Sequence, residues 1–252
     1  MYLLDNAAHE ATDRFDALAA VFDAGTERHI TALGIARGWR CLEVGAGGGS
    51  IARWLAGVVG PDGGVLATDI DPRHLSTDGF ANLQVRRHDL TLEALPTSAF
   101  DLVHARLVLM HIREHAAALQ RLIEAVKPGG WLLVEDFSLP FGSAHAPLGS
   151  LAAIRRLMTA GGVDLDGGHT LASRFRPSGL EDVDTEARAY IWYGRSAGSK
   201  VFRANIEQLR AAIEREGVVT PAEVAADLAR LDDPEFALPS PVMWAAWGRR
   251  PA

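Results

Sequence analysis

The chain has 252 residues, a formal net charge of −7 and a single cysteine, Cys41. That length holds one α/β domain with additions, or two small domains, and buries a substantial core. The acidic balance, with no basic run longer than the pairs Arg86-Arg87, Arg155-Arg156 and Arg249-Arg250, argues against a protein that grips a phosphate backbone. One cysteine excludes an internal disulfide framework. No stretch approaches the ~20 apolar residues of a bilayer span, and residues 1–5 lack the basic-then-apolar order of a secretory signal. The expectation is a soluble, cytoplasmic chain without membrane or nucleic-acid partners, monomeric or homodimeric.

Between residues 8 and 36, Phe15, Leu18, Ala19 and Phe22 recur at helical spacing. Gly25 predicts a break between two amphipathic helices. Residues 1–38 are thus an N-terminal helical segment ahead of a domain spanning 39–252. Residues 39–44 read as a buried strand, and Glu43-Val44-Gly45-Ala46-Gly47-Gly48-Gly49-Ser50 leads into the helix-periodic Ile51, Trp54, Leu55 and Val58. Glycines accept positive φ and let a ligand touch the main chain, and a helix start turns its free N–H groups toward that ligand. A dinucleotide fingerprint carries glycine at its first, third and sixth places. Here Ser50 holds the sixth, and the pattern is Glu-x-Gly-x-Gly-x-Gly. An acid ahead of the turn suits a ligand with a cation or a hydroxyl.

Gly60-Pro61-Asp62-Gly63-Gly64 marks a turn, and the strand at 65–68 ends in Asp69. An acid there, about 20 residues beyond the glycines, can accept from both hydroxyls of a ribose. Asp71, before Pro72, reads as a helix cap. Leu83–Arg87 is a third strand followed by His88-Asp89-Leu90, residues 100–104 are a fourth, and 131–136 a fifth. Between the last two, residues 107–126 predict a helix closed by Lys127-Pro128-Gly129-Gly130. Regular alternation of strand and helix implies a parallel sheet with right-handed crossovers.

The acid-glycine turn, Asp69, Asp89, the strand opening with Phe100-Asp101 and the Pro128-Gly129-Gly130 turn occur in an order that resembles the class I S-adenosylmethionine-dependent methyltransferases. The resemblance covers residues 40–136. It implies a Rossmann-like, mostly parallel seven-stranded α/β sheet with helices on both faces, the last strand antiparallel, and helical additions at the N-terminus and between the last two strands. It also implies that Glu43 and the backbone of Gly45, Ala46, Gly47 and Gly49 hold the amino-acid end of S-adenosyl-L-methionine, or of the product S-adenosyl-L-homocysteine. Asp69 would take the ribose, Ile70 would lie against adenine, Asp89 and Leu90 would meet the adenine edge, and Ala105 and Arg106 would end the strand beside the transferred methyl.

Beyond residue 136 the expectations are a loop at 140–147, a helix at 151–158, a mobile glycine-rich segment at 161–169 and a sixth strand at 184–192. Phe202, Ile206, Leu209 and Ile213 form one helical stripe, Thr220-Pro221-Ala222-Glu223 is a capping box, and residues 242–247 are the last strand. The helical piece at about 198–236 reads as a lid over an acceptor pocket, with an oligomer contact as the other reading.

A sulfonium donor supplies its own driving force, so the protein must align the acceptor and remove a proton where the acceptor carries one. Ligands of open α/β sheets gather at the carboxyl ends of the strands. That selects His104, Arg106 and His111 after the fourth strand and Glu135 and Asp136 after the fifth. His111 ranks first as base, Asp136 second as base or acceptor ligand, and His104 is also a candidate; His145 and His169 sit on loops within reach. Metal assistance is not expected. The expected activity is methylation of a small organic molecule, on oxygen first, with nitrogen or carbon open. Two rivals remain: a fold relative catalysing a cyclisation or rearrangement, and a non-catalytic module that senses the cofactor.

Overall fold

Short apolar runs bounded by Gly, Pro and Asp build the centre of the molecule. The computed structural model describes Leu4, residues 10–139 and residues 147–252; of the loop expected at 140–147, residues 140–146, with His145, lie outside them. The strands are β1 (Arg40–Val44), β2 (Gly64–Asp69), β3 (Leu83–Arg87), β4 (Phe100–Arg106), β5 (Val126–Ser138), β6 (Glu181–Arg188), β7 (Ile191–Tyr193), β8 (Ala237–Pro239) and β9 (Val242–Arg249). Seven of them form one sheet in the order β3-β2-β1-β4-β5-β9-β6, with β9 antiparallel to both neighbours and the rest parallel, as the family resemblance implies. The helices are α1 (Ala11–Ala32), α2 (Ser50–Val59), α3 (His115–Ala125), α4 (Gly149–Ala160), α5 (Leu171–Phe175), α6 (Ala197–Glu216) and α7 (Pro221–Leu231).

Successive strand residues point to opposite faces. On one face Leu42, Val44, Val103, Ala105, Leu132 and Val134 pack against α3 and α5 through Leu119, Leu122, Leu171 and Phe175. On the other, Cys41, Ala67, Leu102, Leu133 and Ala245 meet Ile30 of α1 and Ile51, Leu55 and Val59 of α2. Each buried leucine contributes about 1.5–3 kcal/mol. A further apolar cluster joins Phe22 of α1 to Ile154 of α4, Phe202, Ile206 and Ile213 of α6 and Leu228 of α7, above Met243 of β9. The Thr220–Glu223 capping box that opens α7 is present, with Pro221 in the first turn.

Several expectations need correction. α1 runs unbroken through Gly25, for a reason given below. Residues 107–126 are not one helix: a 3-10 turn at Leu109–His111 precedes α3. The Lys127-to-Gly130 stretch belongs to β5, where the register with β4 shifts between Phe100 and Leu102. The strand expected at 184–192 is two strands. β6 stays in the large sheet, while β7 leaves it to pair with β8. Within the segment at 161–169, expected to be mobile, Gly167 and Gly168 are buried, and a Cβ added to Gly168 would fall 2.6 Å from the Asp136 carbonyl oxygen.

Candidate active site

The glycine turn leaves β1 with Gly45, Gly47 and Gly49 at φ of 66°, 54° and 76°, the left-handed region that glycine enters freely. It is tied directly to the end of β2. The Ala46 N–H donates to the Thr68 carbonyl at 3.0 Å, the Gly47 N–H to Oδ2 of Asp69 at 2.9 Å, and the Asp71 N–H to Oδ1 of Asp69 at 2.9 Å. Burial raises the pKa of Asp69, and the N–H groups of Asp71 and Gly47 oppose that rise. Beside it Ile70 leaves 51% of its surface exposed, an apolar platform. Asp71 caps the 3-10 turn Pro72–His74 through the Arg73 N–H.

Other segments close over this turn. A Cβ on Gly47 would meet the Phe15 ring of α1 at 2.9 Å, and one on Gly45 would meet Val108 at 2.3 Å. Phe15 stacks edge-on against His74, with centroids 5.3 Å apart. Leu107, at the exit of β4, holds φ of 58°, a conformation that a branched side chain adopts only when its surroundings impose it. At the end of β3, Asp89 turns its Oδ1 to the Thr91 N–H and hydroxyl, at 2.8 and 2.6 Å. The Thr91 hydroxyl bond lowers its pKa. Leu90 is buried, and so is Ala105, which enters the α3-side core.

Beneath the turn lies a polar network. His104 is fully buried, with Nδ1 2.6 Å from Oε2 of Glu43 and Nε2 3.4 Å from Oε2 of Glu135. Burial alone would lower its pKa, but the Glu43 carboxylate and the hydrogen bonds to Glu135 and Glu43 prevail and raise it to about 9. Glu135 also accepts from the Thr26 hydroxyl and from Arg188, and His29 lies 3.5 Å away. Its pKa is lowered: desolvation opposes this, and the His104 and His29 hydrogen bonds outweigh it. Arg106 donates to Thr26 at 2.9 Å and Asp23 at 2.7 Å. Two expectations therefore change. His104 is no free base, because both ring nitrogens face carboxylates, and the Arg106 guanidinium, expected beside the transferred methyl, binds Thr26 and Asp23 of α1.

Gly25 belongs to this network. A Cβ there would fall 1.5 Å from Nη1 of Arg188, so the glycine is the notch through which Arg188 passes α1 to reach Glu135.

Two acid-base candidates remain. Burial, with Arg14 adding to it, lowers the His111 pKa to about 4 and keeps the ring neutral. Asp136 is fully buried, and desolvation raises its pKa to about 8 against the Met110 N–H, which donates to Oδ2 at 3.2 Å. Its Oδ1 has no hydrogen-bond partner among the described residues. His169 packs with Ser138, its Nδ1 3.3 Å from the serine hydroxyl. Among the described residues, no cluster of His, Cys, Asp and Glu could hold a metal ion, and no helix is long and apolar enough to cross a membrane.

Residues 6–185 match the family model described as a methyltransferase domain. The chain belongs to that family. Methyltransferase str2 of Strobilurus tenacellus is 36% identical over 137 residues, 52% of this chain and 46% of that protein. The ubiquinone/menaquinone biosynthesis C-methyltransferase UbiE of Ectopseudomonas mendocina is 30% identical over 145 residues, 52% of this chain and 57% of that protein. The chain spans about half the length of these curated relatives. A solved Haemonchus contortus phosphoethanolamine N-methyltransferase 2 in complex with S-adenosyl-L-methionine superimposes with a TM-score of 0.63 at 15% identity, over 100% of this chain and 60% of that one. The methyltransferase fold is thus shared well beyond sequence identity.

That neighbour holds S-adenosyl-L-methionine, and the residues here would fit the same group: a left-handed glycine turn, a carboxylate fixed by backbone at the end of β2, and the exposed face of Ile70 beside it. Sequence reasoning missed Phe15 as a cover on the turn, the α1 and β6 partners of Glu135, and the notch at Gly25. The one available signal was Gly25 itself, a glycine inside an otherwise regular helical pattern.

Proposed function

We propose that this methyltransferase moves a methyl group from S-adenosylmethionine to a small organic acceptor bearing an acidic hydroxyl, on oxygen first. The observation that carries the cofactor half of the reading is the Asp69 carboxylate, held by the Gly47 and Asp71 N–H groups against the glycine turn. Glu43 and the Gly45-to-Gly49 backbone would hold the amino-acid end, Asp69 the ribose, Ile70 a face of adenine, and Asp89 with the Leu90 backbone its edge. When bound, the cofactor supplies an electrophilic methyl, leaving the chain to exclude water, orient the acceptor and take its proton.

Asp136 suits the last task. A carboxyl with a pKa of about 8 lies close to the operating range in which a general base is most effective, whereas His111, near 4, is neutral but weakly basic. His111 would orient the hydroxyl as an acceptor. Removing a phenolic or enolic proton activates the neighbouring carbon as well as the oxygen, so the C-methyltransferase name of the UbiE relatives is compatible with the same base. The apolar cluster of α4, α6 and α7 supports a partly apolar acceptor, with residues 198–236 as its cover.

Calorimetry with S-adenosylhomocysteine tests the site. Asp69→Ala should lose about 1–3 kcal/mol of binding, and Gly47→Val should bind still more weakly; unchanged affinity in both refutes the assignment. Asp136→Asn keeps an acceptor for the Met110 N–H and should lower kcat by about 10²–10⁴-fold with cofactor affinity unchanged. Full turnover in that variant would return the base to His111.

A further inference from the structure

Strand register puts Glu43 of β1 opposite His104 of β4, and Arg106 opposite Glu135 of β5. All four side chains point to the α1 side, where the surrounding layer is Cys41, Leu102, Leu133 and Ala245. In such a layer a carboxylate persists only when paired and hydrogen-bonded. The one described side-chain partner of Glu43 is Nδ1 of His104, at 2.6 Å on Oε2. Among the described residues Oε1 of Glu43 has no hydrogen-bond partner. The opposite ring nitrogen faces Glu135, and Glu135 is itself fixed by Thr26 and Arg188. The imidazole is therefore braced from behind, and it cannot turn without giving up one carboxylate.

We propose that His104 is a positioning residue for the cofactor: braced by Glu135, it holds Glu43 in the rotamer that offers Oε1 to the amino group of S-adenosylmethionine. This rests on the cofactor reading above, with Glu43 at the amino-acid end, and adds a residue that touches no ligand. The consequence is selective. Loss of His104 should weaken ligands that carry the amino-acid end and spare ligands that consist of adenine, ribose and sulfur alone, because those meet Asp69, Ile70 and Asp89.

The experiment measures calorimetric affinity for two probes, S-adenosylhomocysteine and 5′-methylthioadenosine, on the wild-type chain and on His104→Gln, with circular dichroism to establish folding. The expected result is a loss of tenfold or more for S-adenosylhomocysteine and a change within twofold for methylthioadenosine. An equal loss for both probes would mark His104 as merely structural, and no loss for either would remove it from the site; both overturn the proposal. Should His104→Gln not fold, ring-¹⁵N spectra of histidine-labelled wild-type protein decide: His104 signals that move with S-adenosylhomocysteine and not with methylthioadenosine support the proposal, and identical responses overturn it. A wild-type chain that binds neither probe refutes the cofactor reading itself, and this inference with it. A wild-type chain that binds both equally well shows that Glu43 does not serve the amino end.

Discussion

On the α3 side of the sheet, β1, β4 and β5 present Leu42, Val44, Val103, Ala105, Leu132 and Val134; on the α1 side the same strands carry Glu43, His104, Arg106 and Glu135 beside Cys41, Leu102 and Leu133. The first layer is held by area and shape, and each of its members can be replaced by another apolar side chain of similar volume at modest cost. The second is held by mutual neutralisation. None of its charges is tolerable without its partner. One face of the sheet therefore degrades gradually, and the other fails as a unit.

Glu135→Ala would break the comparison most sharply. It leaves His104 and Arg188 without their shared carboxylate and should cost about 3–5 kcal/mol in urea unfolding. Leu132→Ala on the opposite strand face should cost somewhat less, about 3 kcal/mol within the usual range for a buried leucine. A Glu135 variant less harmful than the Leu132 variant would show that the polar layer is not cooperative.

The pH dependence separates the layers further. His104 has a folded pKa of about 9 against 6.5 unfolded, so its contribution is complete below about 6.5 and is lost as pH rises through about 9. Asp136, at about 8 against 3.8, favours the protonated fold and likewise gives up stability as pH climbs to about 8. Both push the same way, so Tm should fall between pH 7 and 9, with Asp136→Asn flattening part of the slope. A flat profile across that window would mean that neither group is held as described. The smallest effect is expected of Gly25→Ala. In an ordinary helix it would gain about 0.5–1 kcal/mol, but here the added methyl displaces Arg188 from Glu135, and the net change should be a loss of about 1 kcal/mol, read from the same urea curves.

What was legible in the sequence follows the same division. The order of β1 to β5, the β3 boundaries, the Asp71 cap and the Thr220 capping box were readable because each depends on neighbours within a few residues. Strands buried on both faces also announce themselves as apolar runs. The partners of Glu135 were not readable, since Thr26, His29 and Arg188 arrive from α1 and β6 and no local pattern joins them. For the same reason alternation at 184–192 could not tell that β7 turns away to pair with β8, where Tyr190 donates its N–H to the Ser240 hydroxyl. At the site, the approach of Asp69 to the glycine turn could be expected from their spacing, whereas the fate of His104 depends on two carboxylates that only folding brings to it.

The notch at Gly25 has an evolutionary reading as well. The Arg188 guanidinium crosses the helix where position 25 carries no side chain, so the two positions should vary together when homologues are compared. Descendants that keep the arginine should favour the glycine. Those that exchange Arg188 for a shorter side chain release position 25 to alanine, so alanine there should be found chiefly where the arginine has been replaced.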